Sequence, residues 1–441
     1  MAASQSDTFV GHLFDWQIDR NTRSYRVVVV EPSFIEPSTH AAIFKSAIAT
    51  LLFPESAPVS ALRHNDPPSE QFDLLTFPEA FLPASDLVAT IRDIAGVEDY
   101  GCVHVGLRPS IETGHLFTCT ELSGLVAALQ AIPEVEGEDI AKFDAWLQQQ
   151  PSRARFNVAC LFTVDIETRI RICLHPKMVR SRFEAHALPE LDMTQANVLT
   201  LVTLLPKDPN YLAITMQPLI CSDTLQLDTD HPGHLPLSAI NSAADAFRTR
   251  PPDYVDVVTV TTCTPQTETS SPGLPNSRSW HYQFQKAFTE AAGNPSFQRH
   301  AHAAFVLSNF WAIGTREDPN PLPGGLSGVF LPMKPGDRDP PQSVQISTYG
   351  DFLGESSPNW TRPGTPLDGK RRVRGFLAQL NPHAENLPRT RMQGFTINRL
   401  PRHVAPWGAT VGLRGFTARS AEPVLGNAIP KFVEEDNVDA S

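Results

Sequence analysis

The sequence is poor in the features that would place it at once among stapled, metal-knotted or membrane-spanning proteins. No two of its six cysteines (Cys102, Cys119, Cys160, Cys173, Cys221 and Cys263) are spaced as CxxC, and all lie in apolar strand-like or helix-like stretches. That scatter argues against a disulfide framework or a zinc knot, and the default role for each thiol is that of a small buried hydrophobe. Apolar runs are short: Val27–Val30 and Leu125–Leu129 fall far below the roughly 20 residues of a membrane-spanning helix. The opening residues MAASQSDTFVGHLFDWQIDR have neither a basic start nor an apolar core of signal-peptide length, so the expected location is the cytoplasm, away from any membrane. GxSxG, GxxxxGK[ST] and HExxH are all absent, which removes the commonest serine-hydrolase, phosphate-loop and zinc-protease chemistries. His300 and His302 make one HxH pair, read as two ordinary core-edge or surface histidines and not as a metal site. Neither a metal nor an organic cofactor is expected.

What is present is a chain of 441 residues with 41% hydrophobic content, enough to bury a large α/β core. Its net charge of -12 disfavours a nucleic-acid backbone as the main partner. The charge is uneven. Between Gly369 and Arg419 ten basic residues face one acid, Glu385, so that this segment is +9 and the rest of the chain -21.

The YRVVVV run at Tyr25–Val30 predicts an inner strand buried on both faces. A helix over Ala41–Leu52, a strand over Phe72–Phe77, a helix over Asp86–Ile94 and a strand over Cys102–Leu107 complete a β-α-β-α-β series. Thr118 and Glu121 make a capping box before the stripe Leu122, Leu125 and Leu129. Phe156–Val164 and Thr168–Leu174, split by Asp165-Ile166-Glu167, predict a hairpin. Strands over Leu212–Ile220, Tyr254–Thr262 and Ala303–Phe310 follow, with a helix over Trp280–Ala291. The fold class is α/β with some antiparallel pairing. The main domain is placed at residues 1–350. Residues 351–441 are read as a proline-rich then basic extension, with RGF, QGF and RGF at Arg374, Gln393 and Arg414 as possible short strands turning at glycine. Asp228–Pro252 reads as a polar inserted loop.

Three polar residues stand where apolar strands end, the place where α/β folds gather their sites. They are Glu79, Lys177 and Cys221. A thiol attacks a carbonyl or nitrile carbon as thiolate and so needs a base, and the charge that then develops needs a cation. Carboxylate, ammonium and thiol meet those needs.

The segments FDLLTFPEAFLP, CLHPKMVRSRFE and AITMQPLICSDTL resemble, in that order, the glutamate, lysine and cysteine segments of the nitrilase superfamily of carbon-nitrogen hydrolases. The resemblance spans about Ser24 to Gly350 and implies a four-layer α-β-β-α sandwich. It implies hydrolysis of an amide, urea or nitrile through a thioester-like acyl-enzyme, with Glu79 as general base, Cys221 as nucleophile, and Lys177 with the backbone N–H of Ser222 stabilising the oxyanion. A second glutamate that positions the base is assigned to Glu184, with Glu190 as the alternative. The expected partners are a small amide-like substrate and, since the family assembles from dimers, further copies of the chain, with the basic segment at the contact. The sequence departs from the family at Ser222-Asp223, where an aromatic commonly follows the cysteine. The runner-up reading is a nitrilase-like scaffold whose basic segment binds nucleic acid or an acidic partner. Nothing in the residues chooses among nitrile, amide and urea, or between hydrolysis and acyl transfer.

Overall fold

A computed structural model describes residues 9–18, 25–34, 37–52, 72–95, 101–111, 114–181, 184–185, 188–225, 237, 254–265, 280, 283–284, 287–288, 291, 299–300, 302–314, 322–333, 372–377, 390–397, 411–419, 423–424, 427–428 and 431–434. In chain order its main elements are β1 (Val10–Ile18), β2 (Tyr25–Glu31), α1 (His40–Leu52), β3 (Leu74–Thr76), α2 (Ala84–Asp93), β4 (Cys102–Arg108), α3 (Cys119–Gln130), α4 (Gly137–Leu147), β5 (Val158–Val164), β6 (Ile170–Pro176), β7 (Val198–Pro206), β8 (Ile214–Ile220), β9 (Val257–Thr261), β10 (Ala304–Ser308), β11 (Gly328–Met333), β12 (Arg372–Leu377), β13 (Arg391–Ile397), β14 (Val411–Arg419) and β15 (Lys431–Glu434). Among the described residues two mixed sheets dominate. One runs β1-β7-β8-β9-β10-β11-β12; the other runs β15-β14-β13-β2-β3-β4-β5-β6, with Leu82–Pro83 beside β4.

The valine run of β2 shows why its sequence does not alternate. Val27 and Val29 pack with Phe14, Trp16, Val202, Val257 and Val306 of the other sheet, whereas Val28 and Val30 pack with Phe44, Leu87 and Ile91 of α1 and α2. Both faces of the strand are covered, so every position is apolar. Each such side chain contributes about 1.5–3 kcal/mol by leaving water, and a single aspartate at Val28 would leave a charge in an apolar layer. The seven-strand sheet is covered outside by Trp280, Phe284, Phe288 and Ala291, described as helical and spaced for one face; Phe288 stacks on Phe305 of β10 with ring centroids 4.6 Å apart.

Two local signals fix the elements nearest the site. The Thr118 hydroxyl accepts from Glu121 N (3.2 Å) while Glu121 accepts from Thr118 N (2.7 Å), starting α3 over its buried face Leu122, Leu125, Val126 and Leu129. At the β5–β6 turn Asp165 Oδ1 accepts from Glu167 N and Arg169 N, each at 2.9 Å, and Thr168 takes φ 60°. That turn sets the register Val158↔Pro176, which brings Asn157 beside Lys177.

The segment expected as an appendage supplies strands to both sheets. β12 pairs with β11, and β13 lies between β2 and β14. The three glycine tripeptides sit inside β12, β13 and β14, where the strands run through glycine without turning: Gly394 lies opposite Val28 and Gly415 opposite Gln393. The proline-rich stretch lies outside the described residues, as does Asp228–Pro252 except Leu237. No described helix is long and apolar enough to cross a membrane.

Candidate active site

Three strand ends converge. After β3, Phe77 and Pro78 lead to Glu79 in a turn whose next residue, Ala80, has φ 52°. The turn lies on Gly106 of β4, where a Cβ would fall 2.4 Å from Glu79 Cα and 2.6 Å from Pro78 O. Only glycine permits that approach, and it is tied by Gly106 N to Pro78 O (3.0 Å) and Phe81 N to Gly106 O (3.0 Å). At the end of β6, Lys177 N donates to Asn157 O (2.8 Å). At the end of β8, Cys221 takes φ 45° and opens the short turn Cys221–Thr224. A left-handed non-glycine residue costs about 1–2 kcal/mol, and neighbouring contacts hold it: Thr224 Oγ1 donates to Cys221 O (2.6 Å), and Ser222 Oγ donates to Val179 O.

Asp223 joins the lysine and cysteine segments. Its Oδ1 accepts from Met178 N (2.9 Å) and Val179 N (2.8 Å), and its Oδ2 from Ile220 N (3.2 Å). Burial pushes its carboxyl up to about 7, against the pull of Lys177 and the three backbone donors.

A buried charge cluster follows. Lys177 Nζ lies 2.8 Å from Glu79 Oε1 and 2.9 Å from Glu184. Asn157 Nδ2 donates to the same two carboxylates, at 2.7 Å to Glu79 Oε1 and 2.8 Å to Glu184 Oε1. Glu184 Oε2 also accepts from Ser181 N (2.8 Å), and His115 Nε2 stands 3.6 Å from its other oxygen. Glu79 Oε2 accepts from Cys263 N (3.0 Å). Burial by itself lowers the Lys177 ammonium, but Glu184, Glu79 and Cys221 outweigh it and hold its pKa well above the ordinary lysine value. Burial likewise raises the Glu184 carboxyl, and here Lys177 and the donors from His115 and Asn157 win and hold it far below the usual carboxylate range. Glu190, the alternative to Glu184, is exposed in the short turn Pro189–Leu191.

Cys221 is reached through the segment after β9. Its Sγ lies 3.2 Å from Thr264 Oγ1, while Glu79 N donates to Thr262 O (3.3 Å). Residues 262–264 thus touch both the thiol and the glutamate. Burial and Glu79 push the Cys221 thiol up to about 12, opposed by Lys177 and the hydroxyls of Thr262 and Thr264. Burial thus favours the neutral thiol over the thiolate at Cys221.

Solved structures similar to this chain include these two. One is the crystal structure of carbon-nitrogen hydrolase from Helicobacter pylori G27, at 9% identity and TM-score 0.34, covering 70% of this chain and 82% of that one. The other is a glutamine-dependent NAD(+) synthetase from Cytophaga hutchinsonii, at 9% identity and TM-score 0.31; the alignment covers 70% of this chain and 39% of the synthetase. No family model matches the sequence, and no curated protein does.

Of the residues singled out from sequence, Glu79, Lys177 and Glu184 meet by direct hydrogen bonds and Cys221 sits within their electrostatic reach, whereas Ser222 and Asp223 serve the turn with their side chains. Asn157, Thr262 and Thr264 were not anticipated. One available signal was an amide at the head of the apolar run FNVACLF; another was three hydroxyl residues in TTCT directly after the apolar strand VVTV. Cys102, Cys160 and Cys173 are buried within strands. Cys119 donates to Pro151 O (3.4 Å) at the start of α3, away from the site. His300 is buried against Gln217 Oε1 (2.7 Å), its pKa lowered by burial and Arg299 to about 3. Among the described residues no three histidine, cysteine or acidic side chains gather as metal ligands would.

Proposed function

We propose that this chain hydrolyses a non-peptide carbon-nitrogen bond of a small amide-like molecule, on a four-layer α-β-β-α sandwich of the nitrilase type. The observation that carries the reading is the buried contact of Glu79 with Lys177, delivered beside Cys221 by three separate strand ends.

In this reading Glu79 takes the proton of the Cys221 thiol as the sulfur attacks the substrate carbon. The electron pair displaced onto oxygen, or onto the nitrogen of a nitrile, is met by the Lys177 ammonium and the backbone N–H of Ser222. For an amide or urea, collapse of that intermediate breaks the carbon-nitrogen bond, and Glu79 returns the proton to the leaving nitrogen. Water enters, loses a proton to Glu79 and attacks the thioester carbon, and the proton passes back to Cys221 as the acid is released. Glu184 and Asn157 do not touch the substrate; they hold Lys177 charged and Glu79 turned toward the thiol. The same reading makes it a cytoplasmic homo-oligomer, and light scattering across a salt series tests the charge-complementary contact proposed between the basic segment and the acidic body.

The experiment is intact-protein mass spectrometry after an acid quench, with short-chain amides, carbamoyl compounds and nitriles in turn. A covalent acyl mass on the wild type, located at Cys221 and missing from a folded Cys221→Ala variant with no turnover, is the expected result. Wild-type turnover in Cys221→Ala overturns the reading.

A further inference from the structure

The glutamate, lysine and cysteine leave one contact of the nucleophile unexplained. Cys221 Sγ has a hydroxyl partner, Thr264 Oγ1 at 3.2 Å, and that hydroxyl is hydrogen-bonded to a second one, Thr262 Oγ1 at 2.5 Å. Both threonines are at most 2% exposed. Thr264 is held from both sides of its backbone by one amide: Thr264 N donates to Asn309 Oδ1 (3.0 Å), and Asn309 Nδ2 donates to Thr264 O (2.8 Å). The amide is itself anchored, through Nδ2 to Gly325 O (2.7 Å) and through Asn309 N to Ser327 Oγ (2.9 Å). The Thr264 backbone is therefore held in place, and its hydroxyl lies between the sulfur and Thr262.

The protons decide its role. A hydroxyl has one proton and two lone pairs. While Cys221 is a thiol, its S–H can donate to Thr264. Once the sulfur has lost its proton it can only accept, so the Thr264 proton must turn to it, and Thr264 in turn accepts from Thr262. Two donors then run in one direction and end on the negative sulfur, without movement of any heavy atom.

We propose that Thr264 is a further catalytic residue, which donates a hydrogen bond to the Cys221 thiolate, and that Thr262 is a positioning residue that orients and polarises it. The chemical class served is a thiolate, and the role in turnover rests on the proposed hydrolase reading. A donor to the charged form favours that form, which opposes the cost of burying a thiolate here. The ionisable groups facing Cys221 are Glu79 from the turn after β3, Lys177 from the end of β6 and Cys263 after β9, with Arg108 acting on Cys263. All of these stay in place when a threonine is changed.

The test is the pH dependence of Cys221 alkylation by iodoacetamide in the full chain, resolved by peptide mass spectrometry so that Cys119, at the start of α3 and away from the site, serves as an internal control. Thr264→Val should move the Cys221 midpoint upward by about one pH unit, a roughly tenfold loss of thiolate at a given pH, and leave the Cys119 profile unmoved. Thr264→Ser should restore it, and Thr262→Val should shift it in the same direction. An unmoved midpoint in folded Thr264→Val, or a serine variant that behaves like valine, overturns the proposal. If Thr264→Val does not fold, Thr264→Ala and Thr262→Val decide by the same criterion. Alkylation requires no turnover, so a shifted midpoint in a protein that hydrolyses nothing retains the thiolate donor and rejects the hydrolase.

Discussion

Two clusters of similar composition lie at opposite ends of β6. At its end Lys177 stands between Glu79 and Glu184; at its start Arg171 stands between Asp139 of α4 and Asp165 of the hairpin turn. Each has a cation bridging two carboxylates and a neutral donor to the acids, Asn157 to both in the first and Trp16 Nε1 to Asp139 Oδ2 (3.0 Å) in the second, where Lys142 Nζ also stands 3.9 Å from Asp139 Oδ1. The difference lies in the cation and its neighbours. The Arg171 guanidinium grips Asp139 with two prongs, Nε at 2.7 Å and Nη2 at 3.0 Å, and reaches Asp165 with a third N–H at 3.4 Å. Its planar fork is matched to those acids and keeps its charge at any working pH. Lys177 is a point charge with three donors, of which two suffice for its two carboxylates, and the thiol of Cys221 is beside it. The same arithmetic of charge fastens a helix to a hairpin in one place and leaves a cation ready for an incoming anion in the other.

The sharpest way to break this comparison is to remove each cation. Lys177→Met should cut turnover on the order of 100-fold or more and, by leaving two buried carboxylates unpaired, destabilise the fold by about 3–5 kcal/mol. Arg171→Met should leave the catalytic rate of the folded protein unchanged. It should cost less stability, because Asp139 keeps Trp16 and Asp165 keeps its backbone donors. Initial rates and urea unfolding measured on both variants decide, and a dead but folded Arg171→Met ends the distinction.

The next effect comes from the shared neutral donors. Asn157→Leu removes two hydrogen bonds to buried carboxylates and Trp16→Phe removes one, each worth about 1.5–3 kcal/mol, and only the first should also lower turnover. Equal turnover in the two would reduce Asn157 to a packing residue.

A smaller, pH-dependent effect follows from Glu184. Its carboxyl is held far below the ordinary value of 4.5 in the folded protein, chiefly by Lys177 acting against burial. The stability it supplies is then fully present above pH 4.5 and lost as pH falls toward the folded value. Lys177 has the opposite sense: its folded value lies above 10.5, so its contribution is present below that pH and lost only as pH rises through the folded value. Urea midpoints taken through the acid range should fall less steeply for Glu184→Gln than for the wild type. The smallest effect is expected from Arg171→Lys, which keeps the charge but not the fork and should cost about 1 kcal/mol with no change in rate.

The sequence was most legible where one residue's burial follows from its own neighbours. The β-branched run of β2, the capping box of α3 and the turn before β6 appear in the structure within a residue or two of where the pattern put them. β1 carries a blurred signal although its burial alternates along VGHLFDWQI, because polar His12 falls on the buried face and apolar Leu13 on the other. α4 was passed over because Asp139, on its buried face, is polar by composition and is buried only because Arg171 and Trp16 arrive from distant segments. The same reason explains the site. Glu79, Lys177 and Cys221 were visible as polar residues at strand ends, but the positions of Asn157 and Thr264 matter only through partners far along the chain, Glu79 for one and Cys221 for the other. A threonine at a strand end says nothing until the sulfur it touches is known.

The place of β13 has a consequence for how the protein is made. Val27–Val30 can pair on one side with β3 soon after both leave the ribosome, but on the other side Glu31 waits for Arg391, and Tyr25 for Ile397. At ordinary synthesis rates of about 5–20 residues per second, that delay is on the order of tens of seconds. Throughout it the most β-prone stretch of the chain has one row of backbone donors and acceptors without their final neighbour, an open template for any passing strand. Nascent chains of this protein should therefore lean on chaperones that shield strand edges, and should do so until β13 has emerged.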